Sequence, residues 1–396
     1  MNKKLIYSNK KSENLYDYYS QHDFNPVPIP INTELEFKKH FLKRINLFEN
    51  HLKIPRKLFN NSKVLEFGCN SGENALVNAL LGSKLYLCEP NVKVHYELKN
   101  NFKRFKLNEQ INNLNKKTIE SFKSKKKFDF VIAEGFLSTI SNREKNLIKL
   151  SNFLNKNSFL VINHDDIHGC FIENIKKLIL KNICEKNNHN LHSKNSFNFC
   201  KKLFGKEYSK LNTKRPIVTW WKDALVSKYN SGKYNWDFSS ILKILKSNNL
   251  NYWSSSPLLQ DINSFQWYKN ISKNNINSEV NENFKKNILF VSTGINVNKS
   301  YDYKNLYKNI KIFHKKIDQY VFQNKKQDLI FIFKNITNIL DQINDKKILA
   351  LSKDLNNISL ALNNSNYLQL INSYKKSRIL KNLWGNTSLY LCFIKN

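Results

Sequence analysis

The segment Val64-Leu65-Glu66-Phe67-Gly68-Cys69-Asn70-Ser71-Gly72-Glu73-Asn74 is the part of the chain whose residue types and spacing point to chemistry. An apolar run ends in a carboxylate, Glu66, and enters a Gly-x-x-x-Gly turn at a helix start. Gly68 and Gly72 let the backbone bend sharply and approach a ligand lying across strand tips. A second carboxylate, Glu89, follows at the end of the next apolar run, where it is suited to accept both hydroxyls of a ribose. Together these features describe a nucleoside site. A dinucleotide loop requires a middle glycine and a phosphate-friendly helix start. Here Asn70 occupies that middle position, and Glu66 and Glu73 flank the turn with negative charge that would repel phosphates. The ligand expected is a nucleoside bearing positive charge.

These residues resemble the class I S-adenosylmethionine-dependent methyltransferases. Leu65 to Gly72 is similar to that family's first motif, Leu87-Cys88-Glu89-Pro90-Asn91 to its second, and Phe128 to Gly135 to its fourth. The resemblance implies S-adenosylmethionine as cofactor. It implies that Glu66 orders the methionyl amino group, that Gly68, Asn70 and Gly72 shape the turn around the methionyl chain, and that Glu89 binds the ribose. It further implies that Pro90 and Asn91 border the adenine and that Glu134 lines the methyl-transfer face. Two departures stand out. Asn70 replaces the usual central glycine, which a turn tolerates because Asn reaches left-handed geometry readily. The acidic residue expected near the adenine has two contenders, Thr118 and Glu120. The segments Phe24 to Ile29, Ser254-Ser255-Ser256-Pro257 and Leu383-Trp384-Gly385 resemble a bacterial subgroup associated with cell-surface glycan biosynthesis.

The fifth apolar run empties into Asn163-His164-Asp165-Asp166-Ile167-His168. His164 is the candidate to take a proton from an acceptor hydroxyl, with Asp165 or Asp166 orienting the ring. An N-cap by either aspartate, with both histidines solvated, is the structural alternative. No metal is expected. Trp220, Trp221, Tyr229, Tyr234 and Trp236 form either a lid that stacks on a sugar or base, or the core of an added subdomain.

Positioning these side chains calls for an α/β, Rossmann-like doubly wound sheet. Short apolar runs alternate with helical stretches: strands at Val64 to Phe67, Lys84 to Cys88, near Lys117 to Ile119, Phe128 to Ala133 and Phe159 to Asn163. The expected organisation is a strap and helix over residues 1–60, a cofactor-binding core over 61–183, an aromatic-rich insertion returning to the sheet over 184–280, a helical annex over 281–379, and a C-terminal strand over 380–396 that rejoins the sheet at its edge. Alternating prolines at Pro26, Pro28 and Pro30 enforce the extended strap.

Charge is the remaining guide to partners. Lys and Arg number 65 against 31 acidic residues, a net +34. Lysine dominates, is spread through the chain, and is matched by heavy use of Asn, Ile, Phe and Tyr, so the surplus reads as compositional; nucleic acid is a possible partner but not the favoured one. The six cysteines never fall in C-x-x-C spacing and read as reduced thiols. With no apolar run of membrane-spanning length, a cytoplasmic protein without membrane insertion is expected. The leading reading is O-methylation of a sugar or surface-glycan precursor, or another small molecule. An RNA methyltransferase and a catalytically silent scaffold are the alternatives; against RNA, Ala133-Glu134-Gly135-Phe136 lacks the form used for exocyclic amine methylation, and no Pro-Cys nucleophile pair occurs.

Overall fold

The computed structural model describes residue 18 and residues 29–211, 213, 215–229, 236–259, 273–323, 329–364 and 366–396. The strap residues 24–28 and Tyr234 lie outside the described residues. The chain divides into a sheet unit (Ile29–His164, Phe238–Asn283, Ser388–Asn396) and a helical unit (Met1–Pro28, Asp165–Asp237, Phe284–Thr387).

In the sheet unit, α1 (Glu34–Ile45) begins with a capping box in which Thr33 and Glu36 satisfy each other's backbone amides. Its buried face carries Phe37, but also His40 and Arg44. Then come β1 (Lys63–Phe67), α2 (Glu73–Leu80), β2 (Lys84–Cys88), α3 (His95–Arg104), β3 (Ile111–Asn115), β4 (Phe128–Glu134), α4 (Arg143–Asn152) and β5 (Leu154–Asp165). After the helical unit's first stretch, α8 (Phe238–Lys246), β6 (Leu250–Ser256), the start of α9 (Lys273–Lys286) and finally β7 (Ser388–Lys395) complete it. The seven strands run in the order β3-β2-β1-β4-β5-β7-β6. Pairs β1–β2, β1–β4, β2–β3 and β4–β5 are parallel, and β6–β7 is antiparallel. The order reverses between β1 and β4, which opens a crevice at the carboxyl ends of these strands.

One side of this sheet packs on Phe48, Phe59, Phe102, Phe130 and Phe159, with Phe59 and Phe130 stacked at 4.4 Å. The Rossmann-like class expected from the sequence is present. Two strands differ from expectation. β3 lies at Ile111–Asn115, not at Lys117 to Ile119, because an edge strand with two apolar residues gives little hydrophobic signal. β7 lies inside the sheet between β5 and β6, where an edge position was expected. Asn163 ties β5 to β7 through bonds from its Nδ2 to Ser388 Oγ at 2.6 Å and to Leu389 O at 3.1 Å.

The helical unit contains α5 (Phe171–Lys186), α6 (Lys194–Tyr208), α7 (Ile217–Trp220), α10 (Ile288–Thr293), α11 (Tyr303–Gln323), α12 (Leu329–Asp341), α13 (Lys346–Asn363) and α14 (Tyr367–Lys376). Helix α5 is buried along nearly its whole length. Phe171 meets Phe313 at 5.5 Å, and Phe313 meets Phe333 at 4.8 Å. Trp220, Trp221, Tyr229 and Trp236 are buried in this unit, so of the two readings of the aromatic cluster they take the core one. Trp220 packs edge-on against Phe204 at 5.9 Å and Trp384 at 5.2 Å. All six cysteines are buried and none is in a disulfide. No helix among the described residues is long and apolar enough to cross a membrane.

Candidate functional site

Strand β1 delivers Glu66 to the sheet's carboxyl edge, and the turn that follows is built on positive φ. Gly68 has φ 71°, Asn70 φ 49° and Gly72 φ 86°. At Gly68 a Cβ would stand 2.7 Å from Phe136 Cε1, and at Gly72 one would stand 3.0 Å from Leu98 Cγ. The glycines therefore make room first for neighbouring side chains of the protein, which spacing alone does not reveal. Asn70 takes the left-handed conformation that its type tolerates better than most.

Glu89, at the end of β2, ties two loops together. Its Oε2 accepts the Asn70 backbone N–H at 2.8 Å and its Oε1 accepts that of Asn91 at 2.8 Å. Each oxygen keeps a lone pair for a further donor. Burial pushes the Glu89 carboxyl up, and these two amides pull it back. Pro90 is exposed, and the Asn91 side chain accepts from Lys93 N at 3.1 Å as a local cap. Of the two contenders near the adenine, Thr118 pairs with Ser121 at 3.2 Å, and Glu120 accepts from Asn146 at 2.6 Å.

Glu66 is buried and accepts from Asn78 Nδ2 at 3.2 Å. Its carboxyl is pushed up to about 8, first by burial and then by the negative charge of Glu134, against the pull of Arg44. Glu134, at the end of β4, is gripped by Arg44: Nη1 to Oε2 at 3.0 Å and Nη2 to Oε1 at 2.8 Å. Asn74 Nδ2 donates a third bond to Oε2 at 2.8 Å. The two charged side chains are 5% and 10% exposed, so this is a buried bidentate pair. The Arg44 guanidinium also lies over the Phe48 ring at 4.7 Å. One helical turn earlier, His40 is held down to about 4 by burial and by the Arg44 charge, which keeps its ring neutral near pH 7.

Arg44 and His40 are the residues that sequence reasoning missed. One signal was available: the chain has only six arginines among 65 basic residues, and one of them occupies the buried face of the helix preceding β1. Arginine in a lysine-dominated chain marks a place where a planar fork is needed.

The structure brings Glu66, Asn70, Glu89 and Glu134 to the ends of β1, β2 and β4. His164 sits at the end of β5 and is buried. Asp165, Asp166 and His168 belong to the helical unit, where Asp166 Oδ1 faces His168 Nδ1 at 3.2 Å. Histidine 168 is buried, in contrast to the solvated alternative considered for both histidines, and so is His164.

Residues 39–198 match a family described as a methyltransferase domain, which is less than half of the chain. No curated protein matches. Among solved structures, PKMT2 from Rickettsia typhi is similar at 19% identity, covering 65% of this chain and 52% of that one, with a TM-score of 0.41. The N-methyltransferase NodS from Bradyrhizobium japonicum WM9, in complex with S-adenosyl-l-homocysteine, is similar at 15% identity, covering 34% and 65%, with a TM-score of 0.27. The chain thus spans about half the length of the PKMT2 chain. Residues 39–198 are thus similar to a methyltransferase domain, and the sheet they contribute to has the strand order of a Rossmann-like fold.

Proposed function

We propose that the whole chain transfers a methyl group from S-adenosylmethionine to a hydroxyl of a small polar acceptor, with a sugar or surface-glycan precursor as the favoured class. The observation that carries the donor side is the electrostatics at the ends of β1 and β4. Glu66 is buried beside a second carboxylate; burial first and that neighbour second raise its pKa, and a cation bound there would favour its ionised form. The cofactor's ammonium meets that need, and Glu89 retains acceptor capacity for a ribose. A phosphate-bearing nucleotide would have to face the carboxyls of Glu66, Glu73 and Glu89, which offer it no positive charge.

In this reading Glu66 orients the methionyl ammonium, and the Asn70–Glu89 bond fixes the turn on which the methionyl chain rests. Pro90 and Asn91 border the adenine. Glu134, saturated by Arg44 and Asn74, acts as a fixed negative charge on the transfer face. When bound, the cofactor supplies an electrophilic methyl group. Alignment and exclusion of water then contribute most of the acceleration, and His164 is the candidate base for the acceptor proton. The glycan preference rests on the resemblance of the Ser254–Pro257 and Leu383–Gly385 segments to a glycan-associated subgroup.

RNA is the second reading, favoured by the net charge of +34. Labelled S-adenosylmethionine offered with sugar nucleotides and, separately, with RNA distinguishes the two. Label on a sugar hydroxyl, weakly dependent on salt, is the expected result. Label on RNA with affinity falling steeply with salt overturns the acceptor assignment.

A further inference from the structure

We infer that Asp166, His168 and Asp237, all within the helical unit, form a binding site for one divalent first-row transition-metal ion of the Zn2+ or Mn2+ class. The inference is independent of the methyl-transfer reading. All three side chains are buried, and one ligand atom from each lies within 4.8 Å of the other two. Ligands about 2.0–2.2 Å from a tetrahedral ion stand roughly 3.3 Å from one another. The separation of Asp166 Oδ1 and His168 Nδ1, 3.2 Å, is of that size. One imidazole nitrogen with two carboxylates is a mixed donor set that suits such ions better than Mg2+ or Ca2+.

The orientation of the His168 ring is the second observation. Its Nε2 lies 3.2 Å from the Tyr307 carbonyl oxygen, which accepts from Nε2 in the tautomer whose Nδ1 lone pair is available to a metal. In that tautomer Nδ1 turns its lone pair toward Asp166 Oδ1, an oxygen that also accepts the His168 backbone N–H at 2.8 Å. A backbone carbonyl on the remote ring nitrogen is the arrangement that orients metal-ligating histidines. The Tyr307 ring stacks on the imidazole at 4.0 Å and fixes its plane. The rival arrangement is a direct hydrogen bond between His168 Nδ1 and Asp166 Oδ1 with no metal.

The backbone prepares the cluster as well. Asp166 and Trp236 form an isolated parallel bridge, and Trp236 N donates to Asp165 O at 3.0 Å, so the two ligand-bearing segments run side by side. Asp237 is held by Tyr307 Oη at 2.5 Å and by Lys311 Nζ at 2.8 Å. The Lys311 side chain is 50% exposed, so it can withdraw into water when an ion of higher charge takes its place. Lys311 is thus the competitor for the site.

The test is calorimetric titration of the chelator-treated full chain with Zn2+ alone and, separately, with Mn2+ alone. One ion per chain is expected for at least one of the two metals. His168→Gln and Asp237→Asn should each weaken that binding by about tenfold or more, and Lys311→Ala should tighten it several-fold. Absence of saturable binding of both metals overturns the inference in favour of the hydrogen-bonded pair, as does binding that the two ligand variants leave unchanged. Should circular dichroism show that those variants do not fold, Lys311→Ala decides: tighter binding supports the site, and unchanged or weaker binding overturns it.

Discussion

In the sheet unit the carboxylates Glu66, Glu89 and Glu134 stand at the carboxyl ends of β1, β2 and β4, whereas in the helical unit Glu173, Lys176 and Asp354 lie within helices. Those helical charges bond to backbone groups, although Glu173 Oε2 is left without a hydrogen bond among the described residues. Glu173 Oε1 accepts Gly385 N at 2.8 Å, and Lys176 Nζ donates to Leu383 O at 2.6 Å while lying over the Trp384 ring at 3.2 Å. Asp354 accepts the amides of Arg378, Ile379 and Leu380 at 3.1, 2.8 and 3.0 Å. Glu66 and Glu89 instead retain capacity for a ligand. Buried charge of the first kind holds the chain together; charge of the second kind is held by the chain for something else. Among these six groups, position at a strand terminus, rather than burial, separates the two.

The largest effect should come from the helical unit. Asp354→Ala orphans three backbone donors and is expected to cost on the order of 4 kcal/mol in denaturant unfolding. Cofactor affinity should be unchanged at temperatures where the variant remains folded. A fall in affinity would erase the distinction between structural and ligand-facing charge.

That distinction was only half legible in the sequence. Glu66 and Glu89 could be found because they end apolar runs at motif spacing, and local pattern defines strand ends. The partners of Glu173 and Asp354 lie 212 and 24–26 residues away in the chain, and no local signal encodes such pairings. Arg44 falls between the two cases, since its bond to Glu134 spans 90 residues. β3 escaped because Ile111–Asn115 is a half-exposed edge strand, and β5 was read too short because polar Asn155 to Ser158 interrupt its apolar run. The inner position of β7 depends on pairing with β6, which its own alternation does not specify.

The next effect in size joins the two kinds of charge. Arg44→Met leaves Glu134 buried without its bidentate partner, and about 3 kcal/mol of stability should be lost in denaturant unfolding. Unlike Asp354→Ala, this variant should also bind cofactor more weakly if Glu134 borders the site as proposed. Equal cofactor affinity would move the pair into the structural class.

A smaller, pH-dependent effect belongs to Glu66, which is raised from the ordinary 4.5 to about 8. The folded chain holds a proton there that the unfolded chain releases at lower pH, so stability falls as pH rises between those two values. Binding a cation favours the ionised carboxylate. Cofactor affinity should therefore rise roughly tenfold from about pH 6 to about pH 7 and level off above about pH 8. Glu66→Gln should flatten the profile, and an unflattened profile would assign the dependence to another group.

The smallest effect tests the turn itself. Asn70→Ala places a less tolerant residue at φ 49° and should cost about 1 kcal/mol, whereas Asn70→Gly should be nearly neutral in thermal unfolding. Equal losses would show that the Asn side chain, and not its backbone geometry, is what the turn requires.

The most direct test of the central claim is calorimetric titration of the wild-type chain and of Glu89→Ala with S-adenosylmethionine. Saturable binding by the wild type, weakened about thirtyfold or more in the variant, is expected from the loss of an ionised acceptor for the ribose. No binding by the wild type, or equal binding by both, would contradict the account.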